Sequence, residues 1–600
     1  MSILLLFISF LFFSLFLLQL RFFSSSSIFV NALCISLLLV GFFAIWITKG
    51  QSIYLFPVIS VMGYWIFLKK GYIKFDLNNI LLNTSISILV FLIFLLLFWR
   101  DSEIFILHSD YLYWIRLIDS NLQYGVENAG TYYNAVSVNY PKNELYHYFE
   151  LWLTGVGKLL NKQSTAMNLF LFAYPVGAVL LITGLKELLQ TFFALKKEFH
   201  RTTAALFVFI ALMFFSHPWD LFTQIFGFKK LPISSMHPWW QGFKICFVAL
   251  AALPLFFYWK TQNLQWLYLL SVSVFIYPPV LPILLLTACI YWSFEWIRKK
   301  NPPIKILISL INSGLFFAFF YKTAGNAGPN VSGFAPMEWL SFSNWLRYLP
   351  AMLMKSLFIP LLTLAPVIIF LLYRWKKIEL KYSLLLKIFV LYAVCMVVWM
   401  AFIKNVDANQ SFLLLFTPLV CLSVALLLLH LWFRKQFIAA FLLASVYIVP
   451  EFAGAFNHQS PLPKTANNTT TFLKQIGASS ILYIPDEYEN KNVYQFNERV
   501  YTGIDHFIMV NPNLKLYSAA AAGMTDTTSF NSITLSTYQT FRNISPFYKT
   551  CGFVNPASDC LSTWLQKNRI QYVCAKPEIH MPAKFESISK DADFVFYELK

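Results

Sequence analysis

Long and nearly uncharged apolar runs are the feature of this sequence that most restricts its fold. Residues 80–99 form one such run, and residues 383–403 form another that only Lys387 interrupts. Each run is about the 20 residues that a helix needs to cross a hydrocarbon core of about 30 Å. Because that core holds no water to bond the backbone, such segments must be helical. The sequence therefore predicts an α-helical polytopic membrane protein.

The order of apolar runs and basic clusters predicts the number of crossings and their orientation. A window of about 19 residues identifies about 14 transmembrane helices, all within residues 1–451. Five basic clusters between them fall on one side in this count, and the positive-inside rule makes that side the cytoplasm. The clusters are Lys69-Lys70, Lys196-Lys197 with Arg201, Arg298-Lys299-Lys300, Arg374 with Lys376-Lys377, and Arg434-Lys435. Lys229-Lys230 breaks this pattern, through either a counting error or a basic patch with a role outside.

The other side receives the long segments 100–165, 217–241 and 322–349, and everything after residue 451. We therefore expect a multi-pass membrane protein with its C-terminal region outside the cytoplasm. Of the 600 residues, 58% are hydrophobic and only 12% are charged. The net charge of +18 lies in short clusters beside apolar runs, so we expect membrane lipid as a partner and no nucleic acid.

A change in composition after residue 451 indicates a second domain. Residues 467–471 begin a polar stretch, and strand-like or helical patterns follow at 481–485, 561–568, 570–575 and 594–599. About 140 residues suffice for an independent core. The sequence predicts a small extracytoplasmic α/β soluble domain at 452–600. In this tail, Cys551 and Cys560 would be able to form a disulfide, but the sequence alone leaves their pairing open.

Five of the eight cysteines lie in apolar runs, where they are expected to fill the core or face lipid. They are Cys34, Cys246, Cys289, Cys395 and Cys421.

The external segment 100–165 carries the first candidate for chemistry. His108 and Asp110 stand near its start, just past a predicted crossing. A carboxylate at the rim of the bilayer is poorly solvated, and it would act as a general base on a hydroxyl or bind a cation. Aspartate is also favoured as the cap of a helix, and residues 111–122 have a helical pattern. The two interpretations are compatible, and both stay open.

The same segment ends with polar and aromatic residues before a predicted amphipathic helix at 149–160. We expect this helix to lie at the membrane interface with Trp152 at headgroup depth. The candidate substrate contacts of the segment are His108, Arg116, Lys142, Glu144 and His147.

Two aromatic clusters flank the external segment 217–241 and suit a sugar ring, although an interfacial aromatic belt explains them equally. Their candidate substrate residues are Asp220, His237, Trp239 and Trp240. The spacing of the histidines and aspartate predicts no metal site, and the cofactor stays unknown, with a divalent cation left open. The sequence contains no P-loop, no Gly-rich dinucleotide turn and no nucleophile elbow.

The order of features over residues 80–190 resembles a known family. An apolar helix leads to Asp110, a short helix that ends in a glycine, a polar turn with Pro141, an aromatic amphipathic helix, GKLLNK at 157–162, and a crossing that ends in LKELL at 185–189. This order is similar to the first external loop of GT-C superfamily glycosyltransferases that use polyprenol phosphates. The bacterial relatives of protein O-mannosyltransferases and aminoarabinose transferases are the most alike. This chain lacks the second acid of their acidic pair, and it has three additional helices before the loop.

The resemblance implies a GT-C-like fold and a transferase of the bacterial inner (plasma) membrane. A sugar would pass from a lipid-linked phosphate or pyrophosphate donor to a hydroxyl of a glycan, lipid or protein acceptor on the external side. Asp110 would accept the proton of that hydroxyl. The departing phosphate would need cationic partners, and the candidates are Lys229, Lys230, Arg347 and Lys404. A snorkelling interfacial side chain is the alternative for each of them.

Two other functions stay open. A transporter or flippase for lipid-linked glycans has many crossings, but its paired halves and mid-membrane charges have no counterpart in this pattern. A polymerase or ligase for lipid-linked glycans would share the topology and the external loop.

Overall fold

The computed structural model describes the N-terminal half of the chain more fully than the rest. The described residues are 2–21, 27–50, 54–68, 74–77, 79–100, 103–106, 110–125, 148–213, 244–261, 263, 265–273, 275–277, 293, 296–297, 311, 314, 335–336, 365–366, 369, 403–404, 421–422, 424–454, 460–461, 467–484, 507, 510–511, 514–518, 558–575, 577, 579, 581–592 and 594–599.

Most of the described residues are helical. The helices are α1 (Ser2–Gln19), α2 (Ile28–Ile47), α3 (Leu55–Leu68), α4 (Ile80–Phe98), α5 (Asp110–Tyr124), α6 (Tyr148–Asn161), α7 (Thr165–Phe193), α8 (Glu198–Met213), α9 (Lys244–Thr261), α10 (Gln265–Ser273), α11 (Val424–Phe433), α12 (Phe437–Gly454), α13 (Asn467–Gln475) and α14 (Ser558–Asn568). The polar helices α5 and α6 stand between the apolar helices α4 and α7 along the chain.

Three described helices are long and apolar enough to cross a membrane, namely α2, α4 and α7. Five shorter apolar helices overlap α1, α3, α9, α11 and α12. The predicted crossing at 80–99 is confirmed as a helix by α4. The number of about 14 crossings stays a prediction, because most of residues 278–420 lie outside the described part of the chain.

Helix α7 is the centre of the helical core. Its most apolar part is entirely buried within the protein, and it packs against α1, α2, α4, α8 and α9. Small residues allow this close approach. A Cβ on Gly177 would stand 2.5 Å from Cε1 of Phe247, and one on Gly184 would stand 2.5 Å from Cδ1 of Leu253. Both neighbours belong to α9, so two glycines seven residues apart fit α7 against that helix.

The helices α1, α4 and α12 lie at the periphery and expose apolar side chains. Leu81 and Leu96 on α4 are 83% and 74% exposed, and Ile438 on α12 is 79% exposed. Soluble monomers rarely expose contiguous apolar surface on this scale. These exposed faces are typical of helices that contact lipid chains.

Short strand pairs join segments that are distant in the sequence. Strand β1 (Leu20–Arg21) follows α1, and strand β2 (Lys74–Phe75) precedes α4. The two strands pair with each other. Strands β3 (Trp99–Arg100), β4 (Glu103–Ile106) and β7 (Ser460–Pro461) form a second sheet, which connects the segment after α4 to the segment after α12. Strands β5 (Ala335–Pro336) and β6 (Ile403–Lys404) form a third pair.

The C-terminal region forms a five-stranded mixed sheet in the order β11-β12-β10-β8-β9. Its strands are β8 (Ser480–Ile484), β9 (Lys515–Ser518), β10 (Tyr572–Ala575), β11 (Phe585–Lys590) and β12 (Val595–Leu599). Strand β8 pairs in parallel with β9 and β10, whereas β12 is antiparallel to β10 and β11. The predicted α/β character is confirmed, while the domain boundary at residue 451 stays a prediction.

A separate apolar core supports this sheet. Leu473 from α13 packs with Ile481, Cys574 and Phe596 from the strands.

The sequence left open whether the cysteines in apolar runs fill the core or face lipid. Cys34, Cys246 and Cys421 are all buried, so these three fill the core. Cys551, whose pairing with Cys560 the sequence leaves open, lies outside the described residues.

Candidate functional site

Helix α5 carries the predicted base at its first residue. The sequence predicted a helix at 111–122, and α5 spans Asp110–Tyr124, so that prediction is confirmed. Tyr111, Trp114, Ile115 and Ile118 are buried, and their spacing is that of one apolar helix face. Asp110 is itself the first helical residue rather than a residue before the helix. A carboxylate in a first turn is favoured by the positive end of the helix dipole.

The start of α5 is held against α7 by aromatic packing. The Tyr111 ring lies 4.9 Å from the ring of Phe170 and 6.3 Å from that of Tyr174, measured between centroids. Phe170 belongs to a π-helical turn at Leu169–Ala173 within α7. Turns of this kind are rare and occur often at functional sites. Because Tyr111 directly follows Asp110, this packing positions the backbone that carries the predicted base.

A buried ion pair holds the middle of α5. The Lys158 ammonium on α6 lies 2.5 Å from Oδ1 of Asp119 and donates a second bond, 3.0 Å long, to the Thr165 hydroxyl. That hydroxyl donates in turn to the Asp119 carboxylate. The Asp119 side chain is 2% exposed and that of Lys158 is 23% exposed. We call these three residues the α5 clamp, because they join α5, α6 and the first residue of α7.

The α5 clamp compensates the burial of a charge. Burial raises the pKa of the Asp119 carboxyl above its ordinary value, while the Lys158 ammonium and the Thr165 hydroxyl act to lower it. Thr165 begins α7, so the carboxylate also lies at the positive end of a long helix. Removing one partner of a buried ion pair strongly destabilises the folded protein, because the other charge is left buried and unpaired. The position of α5 therefore depends on all three groups.

The corner between α6 and α7 has its own polar contacts. The side-chain amides of Asn161 and Asn168 bond each other reciprocally at 2.7 and 3.1 Å. Ser164 caps the start of α7 by accepting a bond from the Met167 N–H. Asn161 lies within the GKLLNK segment, and Ser164 and Asn168 follow it. Their hydrogen bonds make the segment a rigid corner. The corner fixes Lys158 and Thr165 relative to each other.

A second buried carboxylate, Glu150, belongs to α6. It is 1% exposed. Ionisable groups within a membrane-embedded body are costly and are commonly functional. Sequence reasoning missed Glu150, Asp119 and Lys158. Asp119 interrupts an otherwise apolar face of α5, whereas Glu150 and Lys158 belong to a polar stripe on α6. Nothing in the sequence connects that stripe to Asp119.

Helix α6 is buried within the protein, while its predicted position at the membrane interface stays a prediction. The helix itself was predicted at 149–160 and is confirmed at Tyr148–Asn161, and residues 148–157 are all buried. Trp152 is 1% exposed, with its ring 6.1 Å from that of Phe43 and 5.4 Å from that of Tyr54. The polar side of α6 contacts protein partners, as Lys158 does with Asp119.

The LKELL segment has a structural role at the other end of α7. The Glu187 carboxylate accepts a 2.5 Å bond from the Ser27 hydroxyl and a 2.9 Å bond from the Phe29 N–H. It therefore caps the first turn of α2. Lys186 pairs with Glu198 at 2.6 Å, which connects α7 to α8.

The structure describes the backbone of three predicted site residues. Asp110 begins α5, Arg116 lies within α5, and Lys404 lies in β6, which pairs with β5. The remaining predicted site residues lie outside the described part of the chain: His108, Lys142, Glu144, His147, Asp220, Lys229, Lys230, His237, Trp239, Trp240 and Arg347. Among the described residues, no group of three histidine, cysteine, aspartate or glutamate side chains is arranged to hold a metal ion.

The fold and this cluster define a mainly helical protein with candidate membrane spans, a small sheet, and a polar junction between its helices. No protein-family model matches the chain, and no curated protein matches it.

Proposed function

We propose that this protein is a membrane glycosyltransferase of the GT-C type. It would move a sugar from a lipid-linked phosphate or pyrophosphate to an acceptor hydroxyl outside the cytoplasm. The observation that carries the proposal is the position of Asp110. It is the first residue of a helix that follows an apolar spanning helix and is held against the central helix α7 by Tyr111 and the α5 clamp.

The proposed reaction needs one base and one leaving group. Asp110 accepts the proton of the acceptor hydroxyl while that oxygen forms a bond to the anomeric carbon of the sugar. The bond between this carbon and the phosphate oxygen breaks, and the lipid phosphate leaves with the electron pair. Positioned cationic or hydrogen-bonding groups stabilise that developing charge. Arg116 shares α5 with Asp110 and is one candidate, together with Lys142, Lys229, Lys230, Arg347 and Lys404.

Three strand pairings support the prediction of which segments share a face of the membrane. Each pairing, β1 with β2, β4 with β7, and β5 with β6, joins two segments that the charge pattern assigns to the same face of the membrane. The capping of α2 by Glu187 follows the same rule, since both groups belong to the proposed cytoplasmic face. An error of one crossing between the paired segments would have put their ends on opposite faces.

Substitution of Asp110 by Asn tests the assignment of the base. The amide has the shape of the carboxylate but cannot accept the proton, so we expect transfer to fall by about 100-fold or more. Membranes that contain equal amounts of each variant receive a panel of radiolabelled polyprenyl-phosphate hexoses. The label that reaches endogenous acceptors is then measured.

The matched control is Asp101→Asn, which removes a charge from the same external segment and should retain activity. Full transfer by Asp110→Asn would remove Asp110 as the base. Passage of labelled glycan across sealed vesicles with no covalent product would instead support the transporter alternative.

A further inference from the structure

We propose that the α5 clamp is a positioning device for the catalytic turn of α5. This inference rests on the proposed function, and it assigns to Asp119 and Thr165 an effect on the chemical step through Asp110. Neither residue is proposed to contact substrate.

The geometry of α5 supports a two-point attachment. The first point is Tyr111 against Phe170 and Tyr174, and the second is Asp119 against Thr165. Tyr111, at the start of α5, contacts Phe170 and Tyr174 of α7, whereas Asp119, later in α5, contacts Thr165, the first residue of α7. The two helices therefore run in opposite directions where they meet. Two attachments on one partner fix both the translation and the rotation of α5.

The polar attachment of Asp119 fixes the direction and length of a contact, which aromatic packing alone does not do. A ring contact allows small sliding movements, whereas a charge-assisted hydrogen bond has a defined direction and length. The Lys158–Asp119 bond is 2.5 Å long, and Thr165 bonds both members of the pair. Asp119 is nine residues after Asp110, or about 13 Å along the helix axis. A small rotation at the clamp thus moves the base by a similar angle about the same axis.

The test compares Asp119→Asn with Glu198→Gln. Both substitutions replace a carboxylate by its isosteric amide in a lysine pair, but Glu198 pairs with Lys186 at the far end of α7. For Asp119→Asn we expect kcat to fall about 10- to 100-fold, because misplacement near 1 Å has effects of this size. KM should stay within about threefold, since ground-state binding is not the affected step. Glu198→Gln should leave both constants near those of the unchanged protein.

A second pair of variants separates positioning from packing. Thr165→Val keeps the shape of the side chain and removes the hydroxyl, so it should lower kcat about tenfold. Thr165→Ser keeps the hydroxyl and should restore kcat to within about twofold of the original, since serine has the same donor and acceptor. A loss in Thr165→Ser as large as the loss in Thr165→Val, or larger, would show that the hydroxyl is not what kcat depends on, and it would overturn the proposal.

Hydrogen exchange of the full-length protein in detergent gives a readout that does not depend on activity. Asp119→Asn should accelerate exchange within α5 and leave α2 and α9 unchanged. If the unchanged protein transfers no sugar, the proposed function fails, and exchange alone decides whether the clamp holds α5. Unchanged exchange in α5, exchange that rises in every helix, or a kcat that stays constant while α5 loosens would each overturn the positioning role.

Discussion

A single carboxylate, Glu187, shows how one residue joins two membrane helices. It accepts bonds from the Ser27 hydroxyl and the Phe29 N–H, and Ser27 also accepts the Val30 N–H as the cap of α2. The first N–H groups of a helix have no partner within the helix, so a side chain from a neighbouring helix is needed to satisfy them when they are buried. The residues in contact are 160 positions apart in the sequence. LKELL was recognisable as part of a sequence pattern, but its partner was not.

We expect Glu187→Ala to lower the free energy of unfolding by about 2 kcal/mol, since it removes charge-assisted bonds from a helix start. The midpoint of thermal unfolding in detergent measures the loss. Ser9→Ala is the control, because the exposed Ser9 hydroxyl bonds only the Leu5 carbonyl of its own helix. That control should change stability by no more than about 0.5 kcal/mol. Equal midpoints for the two variants would contradict the capping role.

At the scale of elements, the contact between α7 and α9 depends on the absence of a side chain at Gly177. A methyl group there would lie within 2.5 to 3.2 Å of three ring atoms of Phe247. We expect Gly177→Ala to destabilise the protein by about 1 to 3 kcal/mol through overpacking. Adding Phe247→Leu should recover part of that loss, because the smaller side chain leaves room for the methyl group.

A double-mutant cycle on unfolding free energies measures this coupling. Strictly additive effects of Gly177→Ala and Phe247→Leu would show that the two residues do not limit each other.

The elements themselves could be predicted better than their surroundings. Apolar length predicted α4, and helical periodicity predicted α5 and α6 to within about two residues, as is usual for helix ends. The burial of Trp152 within the protein was not predicted, because a periodic pattern separates polar from apolar faces without identifying what each face contacts. Strands β9 and β11 were missed. Strand β11 is an edge strand with mostly exposed residues, so it lacks the apolar run that indicates a buried strand.

The candidate site was predictable only in part for the same reason. Asp110 stands out because it follows an apolar run and precedes a helical pattern. The pair of Asp119 and Lys158 spans 39 positions, and nothing in the local sequence connects the two charges. Only the folded chain brings them together with Thr165.

At the scale of the whole molecule, function depends on which face of the membrane each segment occupies. The proposed chemistry requires Asp110 to lie outside, and the charge pattern assigns the C-terminal sheet to that same side. Helix α12 is the last predicted crossing before this sheet. Lys435 precedes α12 and Lys474 follows it within α13, and both side chains are exposed. These two positions therefore report on opposite faces.

We expect Lys474→Cys to react with a membrane-impermeant maleimide in intact cells, and Lys435→Cys to react only after the cells are permeabilised. Four native cysteines, Cys34, Cys246, Cys421 and Cys574, are buried and should stay unlabelled. Both variants are made in a background protein in which the other four cysteines are replaced by serine. Labelling is read by the mass added to the purified protein. Reaction of Lys435→Cys in intact cells, with Lys474→Cys protected, would reverse the orientation and remove Asp110 from the external face. Because donor sugar and acceptor must meet at that residue, the glycosyltransferase proposal would fall with it.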